Sequence, residues 1–193
     1  MIERAALELF AERGYAAASM DELARRSGVS APVLYDHFDS KLDLHGRLLE
    51  RTRDELLAMW RESLAGDAPA QERIPRAIGA WARYVEANPY AARMFFRESA
   101  GDPEAVAVHR RVQAESQASL GDILGGEQAG NSVGLEMAAV VMRSGLTGLA
   151  VWWLDHPEVS RDQIVSTAID VIWIGFERVL GGERWDPGST LAP

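Results

Sequence analysis

The sequence predicts an all-α protein of about nine helices, with a three-helix head joined to a larger helical body. Three observations predict this. Apolar residues recur every three or four positions along the chain, and no stretch shows the strict alternation of a half-buried strand. Serine, aspartate and asparagine stand where helices would begin, several of them just before a proline. Glycines stand where helices would end. The 193 residues suffice for a small domain plus a larger one, with a core that needs no staples.

The elements follow in order. Ile2, Ala5, Ala6, Leu9 and Phe10 share one face of a first helix that stops at Gly14. A second helix starts at Ser19, where "SMDE" reads as a capping box with Glu22 reaching back. Met20, Leu23 and Ala24 face inward, and Gly28 permits a sharp turn. Ser30 caps a third helix, with Pro32 in its first turn and Leu34 and Phe38 turned to the core beside Val29. Ser40 caps a fourth, longer helix from Lys41 to about Leu64, and "GDAPA" is a linker. The next helix carries Ile74, Ile78, Trp81 and Val85. Asn88–Pro89 and Asp102–Pro103 each pair an N-cap with a proline, and Gly101 closes the helix of Met94, Phe95 and Phe96. A helix from Pro103 to about Leu124 leads into a loop, "GGEQAGNS". Two last helices cover Val133 to Leu154 and Arg161 to Leu180, the latter opened by a capping box of Ser160 and Gln163. This organisation gives a head over 1–46, a body over 47–182 and a loose tail over 183–193.

Several function classes are disfavoured. The chain has no cysteine, so disulfides, thiolate metal sites and cysteine nucleophiles are excluded, consistent with a cytoplasmic protein. The charged first residues do not form a signal peptide. Val133 to Leu154 has about the length a membrane span needs, but Glu136 and Arg143 favour a buried helix of a globular protein. The four histidines form no metal-binding pair at helical spacing, and no acid/base set converges at usable spacing. No enzyme, metal or cofactor is expected. The net charge of −9 argues against bulk attraction to nucleic acid, and even residues 1–50 hold nine acidic against six basic side chains.

The functional signal lies in "SGVSAPVLYDHFDSK". Two short helices meeting across a glycine turn form a helix-turn-helix, whose later helix enters the DNA major groove by its N-terminal residues. With Leu34 and Phe38 facing inward, Ala31, Pro32, Val33 and Tyr35 face outward. Ser19 and Ser30 sit at helix N-termini, whose free N–H groups suit phosphate oxygens. Tyr35, His37 and Lys41 can donate to phosphate, while Ala31, Pro32 and Val33 can touch thymine methyls but cannot form bidentate bonds to bases. Direct readout is therefore expected to be modest.

"AALELFAERGY", "SMDELARRSGVS" and "LYDHFDSK" together closely resemble the DNA-binding region of the TetR family of transcriptional regulators, over about residues 2–50. The resemblance implies DNA contact by Ser19, Ser30, Pro32, Tyr35, His37 and Lys41. Ala31 departs from the lysine many members carry there. The remainder fits the family in plan, as a ligand-binding and dimerisation domain. The resemblance thus implies a cytoplasmic homodimeric regulator, usually a repressor, that binds a near-palindromic double-stranded DNA operator and releases it on binding a small, largely apolar effector. The alternative is a helix-turn-helix used only for protein contact.

In the body, stripes of methionine and aromatic residues suit a core, and the family implies an inducer pocket among them. Its expected lining is Trp60, Trp81, Tyr84, Met94, Phe95, His109, Met137 and Arg143. For Arg143 a buried pair with a carboxylate is the competing reading, slightly favoured because buried charges are usually paired. The last two helices are apolar on more than one face, so burial against a second copy in a four-helix interface is expected. Gly145, Gly148, Trp152, Ile164, Ala168, Val171, Ile172 and Val179 are its expected members. The competing reading is burial of these helices within one protomer.

Overall fold

A computed structural model describes residues 1–97, 101–125 and 133–175. The loop expected over 125–132 (beyond its first residue), Val179 and the tail lie outside them. Among the described residues there are nine α-helices and no strand. They are α1 (Ile2–Ala17), α2 (Met20–Ser27), α3 (Ala31–His37), α4 (Lys41–Leu64), α5 (Ala70–Ala87), α6 (Pro89–Phe96), α7 (Pro103–Gly125), α8 (Val133–Leu154) and α9 (Arg161–Ala168). A wider π-helical turn over Ile169–Trp173 continues α9.

The turns owe their shape to glycine where it is required. Gly14 leaves helical geometry at φ 73°, ψ 166°, and one further turn, Tyr15 to Ala17, completes α1. Gly28 takes the left-handed conformation at φ 69° and donates its N–H to the carbonyls of Ala24 and Arg25, closing α2. Asp102 caps α7 by accepting from the amides of Glu104 and Ala105, both at 3.0 Å. The capping box at Ser160 is complete.

Four local expectations need correction. Ser19 accepts from the Glu22 amide at 3.2 Å, but Glu22 does not return the bond, because its carboxylate pairs with Arg13 and Arg26. Ser30 occupies the N-cap of α3 without a side-chain cap bond. Asn88 turns its amide back to the Tyr84 carbonyl at 3.0 Å and so closes α5 instead of opening α6. The α6 helix ends at Phe96, before Gly101, because Arg97 adopts an extended conformation.

The buried side chains form two clusters. One joins Leu9, Leu23, Leu34 and Leu44 of the head to Met94 and Phe95 of α6 and Val112 of α7. The other, in the body, is built around Trp60, Ile78, Trp81, Trp153 and Ile164. They meet along α4, between Leu56 and Trp60, so α4 belongs to both. At 24 residues it is about 36 Å long and connects the head to the far part of the body.

Candidate nucleic-acid interface and body cavity

The head positions its outward face by burying the opposite one. Leu34 is fully buried and Phe38 nearly so, which leaves Pro32, Val33, Tyr35 and His37 exposed. Ala31 is half-buried against the core. Tyr35 is 54% exposed, an unusual setting for a large aromatic ring. Because the Ser30 hydroxyl makes no cap bond, it and the first amides of α3 are available to a ligand. Ser19 differs in that its hydroxyl is committed to α2.

Charge on this face is largely compensated. Arg4 pairs with Glu8, Arg26 with Glu12 and Glu22, and Arg47 with Asp43. Arg25 is exposed and has no carboxylate within 4 Å among the described residues. Lys41 stands elsewhere than its expected role suggests. Its ammonium donates to the carbonyls of Tyr15 and Ala18, both at 2.9 Å, and lies 4.2 Å from the centre of the Tyr15 ring. It therefore adds a second donor to the Tyr15 carbonyl, which already accepts from the Ala18 N–H, satisfies the Ala18 carbonyl, and fixes the turn into α2.

Behind Lys41, His45 is 1% exposed between the rings of Phe10 and Tyr15, at centroid distances of 5.2 and 4.9 Å. Burial, then the nearby His109 and Lys41, push its pKa down to about 4, so the ring is neutral near pH 7. Its Nδ1 has no hydrogen-bond partner among the described residues. Pattern reading missed both roles, and His45 is found on the buried face of α4.

In the body, a cavity lies between α4, α5 and α6 on one side and α7 and α8 on the other. Trp60, Trp81, Phe95 and Arg143 line it as expected. Leu56, Leu57 and Phe96 complete its apolar side. Gln113, Ser116, Gln117 and Thr147 were not anticipated, because isolated polar residues on mostly polar helix faces give no periodic signal. Space for water-sized molecules is about 50 Å³, enough for a few waters.

Four expected lining residues stand off the cavity wall. Met94 is buried in the head-side cluster. Tyr84 donates to Glu55 at 2.8 Å, and burial followed by that bond holds its phenol neutral, well above its ordinary range. His109 is buried behind Gln113, with 3.4 Å between their Nε2 atoms. Met137 is 64% exposed on the outer side of α8. The expected ion pair of Arg143 is also absent among the described residues, since no carboxylate lies within 4 Å of its half-buried guanidinium.

That outer side of α8 is apolar. Val133, Met137, Val140, Val141 and Trp152 are all exposed along it, with Gly148 in their midst, and Val171 and Ile174 are exposed nearby in the sequence after α9. Ile164 and Ala168 are instead buried within the protomer, which corrects their expected place in an interface between two copies. Gly145 also serves internal packing, since a Cβ there would meet Ile172 at 2.8 Å. Ile172 is partly buried in the body cluster for the same reason. The π-helical turn shifts the exposed face, with Trp173 turned in and Val171 out.

Residues 2–48 match the family described as bacterial regulatory proteins, tetR family. The HTH-type transcriptional activator FasR of Mycolicibacterium smegmatis is 31% identical over 177 residues, covering 91% of this chain and 81% of the relative. The chain belongs to the TetR family. Among solved structures, PfmR of Thermus thermophilus is 28% identical, with a TM-score of 0.68 over 89% of this chain and 96% of that one. FadR of Bacillus halodurans, a fatty acid degradation regulator, shares the fold at 18% identity, with a TM-score of 0.74 over 95% and 98% of the two chains. The protein is thus a TetR-family DNA-binding transcriptional regulator and not an enzyme. Among the described residues, no group of side chains could hold a metal ion and no helix is long and apolar enough to cross a membrane.

Proposed function

We propose that this TetR-family protein acts in the cytoplasm as a homodimer that reads a near-palindromic operator through α3 and loosens its hold when a small, largely apolar molecule enters the body cavity. The observation that carries the DNA half of this reading is the exposed Ser30–Tyr35 face with an uncapped hydroxyl at its start. Ser30, Pro32, Val33, Tyr35 and His37 form the contact surface, with Arg25 as its free cation and Ala31 at its edge. Ser19 and Lys41 hold the head in shape behind it.

The outer face of α8 supports the dimer. Exposed large apolar side chains along one helix, here with Ser144 and Gly148 between Val141 and Trp152, mark an interaction surface, and a second copy buries both faces at once. Gly148, with open space beyond its Cα, permits close approach. Pairing would set the two recognition helices about 34–36 Å apart, one turn of DNA. Val141→Asp on this stripe is expected to give monomers by light scattering and to abolish operator binding. A dimer unchanged by that substitution would remove this face from the interface.

The cavity and the head share α4. A ligand that widens the cavity pushes on Leu56, Leu57 and Trp60, and α4 transmits that shift to Lys41 and His45 under the head. Its effect is limited to its differential affinity for the two head spacings. Repression is the family's usual mode and is the sign proposed here. The M. smegmatis relative carries the name activator, so a reporter on the native promoter, with and without the regulator, decides the sign.

Selection from randomised duplex DNA at two salt concentrations tests the central reading. A palindrome with half-sites one turn apart, bound more weakly at higher salt, is the expected result. No enrichment at low salt would overturn operator reading in favour of a protein partner.

A further inference from the structure

The body cavity has two chemically different sides. Trp60, Trp81, Phe95 and Phe96, with leucines of α4, offer mostly apolar surface and no charge. The α7 and α8 side is mixed: Leu120, Met142 and Leu146 stand among the Arg143 guanidinium, Gln113, Ser116 and Thr147. Ser116 and Thr147 make no hydrogen bond to a described residue. Gln113 already donates to the Phe95 carbonyl, so it stiffens the wall.

Arg143 stands out among the half-buried arginines of the described residues. Acidic groups outnumber basic ones by nine, and most arginines of the body sit on a carboxylate or a carbonyl. Arg143 is half-buried at an apolar cavity and has neither among the described residues. A cation drawn out of water needs a counter-charge, and a guanidinium fits an oxyanion in bidentate fashion.

We propose that the effector is an amphiphile bearing one oxyanion, its apolar portion against the tryptophan side and its carboxylate or phosphate on Arg143, with Thr147 and Ser116 as further donors. This inference rests on the ligand-regulated reading above and names the chemistry of the ligand. The free space of about 50 Å³ is too small for such a molecule, so binding parts α7 and α8 from α4. The charged end then sits on the helices that move, and the apolar end on the helix that leads to the head.

Four ten-carbon probes test the claim on the full-length dimer below their aggregation threshold: decanoate, decyl phosphate, decanol and decylamine. Trp60 and Trp81 report binding by fluorescence, and operator release is followed in parallel. Decanoate or decyl phosphate is expected to bind at least about tenfold more tightly than decanol, with decylamine weakest. The preferred anion distinguishes a carboxylate ligand from a phosphate one. R143Q should remove the anion preference, so that decanoate and decanol bind alike, and R143K should restore part of the preference. Equal binding of decanol and decanoate to the wild-type protein, or an unchanged preference in R143Q, overturns the oxyanion while leaving an apolar effector in place. Binding by none of the four, with operator binding intact, overturns both the oxyanion and this cavity as an effector site.

Discussion

The head and the body both pair most of their arginines, and what differs is the setting of a cation left without a carboxylate: Arg25 is exposed in the head, and Arg143 is half-buried at the body cavity. In the head, where phosphate contact calls for free positive charge, Arg4, Arg13 and Arg26 are paired with carboxylates and Lys41 is spent on backbone carbonyls. In the body, where burial calls for pairing, Arg143 has no carboxylate beside it among the described residues. The contrast teaches that the two regions meet their ligands by different physics. The head offers shape, a hydroxyl and free amides with little field, so its grip on DNA should depend weakly on salt for a DNA-binding protein. The body offers one charge in a mostly apolar setting, where a single oxyanion is worth far more than on a surface.

The largest expected effect sharpens the contrast at the joint between the two regions. His45 has its pKa lowered to about 4 from 6.5, so between those values the unfolded chain binds more protons than the folded one. The stability tied to its neutral ring is therefore complete above about pH 6.5 and is lost as pH falls towards 4. The loss is about 3 kcal/mol by the linkage relation. Urea denaturation at pH 7.5 and 5 should show about 2 kcal/mol of it, and His45→Gln should flatten the difference. An unchanged pH response in that variant would place the sensitivity among the carboxylates.

Lys41→Met comes next. If the ammonium mainly ties down the end of α1, the head loses about 2 kcal/mol in chemical denaturation, while the salt dependence of operator binding stays the same. Wild-type stability with a shallower salt dependence would instead return Lys41 to the phosphate backbone and weaken the contrast drawn above. The two cap serines differ by a smaller amount. Ser19→Ala should cost about 1 kcal/mol of stability. Ser30→Ala should cost less than about 0.5 kcal/mol yet weaken operator binding, since its hydroxyl supports no helix. The smallest effect is expected from Arg25→Ala, which should reduce the slope of log affinity against log salt by about 1. Arg26→Ala should change the slope less, because its charge is already neutralised.

Much of this was legible in the chain. Helix starts at Met20, Lys41 and Pro103 were marked by capping side chains, and the period of Leu34 and Phe38 fixed which side of α3 faces out. Trp60, Trp81, Phe95 and Arg143 were placed near one another by family plan and are found on one cavity. The misses share a cause. Met137 and Ile164 belong to helices that are apolar nearly all round, so periodicity could not say which stripe faces the protomer and which faces outward. Asn88 and Glu22 had two backbone or charged partners within reach, and spacing alone cannot rank them.

The sequence by itself determined the helices, their order, the glycine turn at Gly28 and the outward residues of α3, because these depend on interactions within a few positions of one another. Only the tertiary structure decided what the ends of long side chains do. Lys41 reaches back 23 and 26 residues to its carbonyls, Arg143 finds a cavity made by five helices, and Gly145 is small because Ile172 packs on it. A charged or flexible side chain settles wherever solvation and pairing are best met in three dimensions, and its neighbours there are distant in the chain.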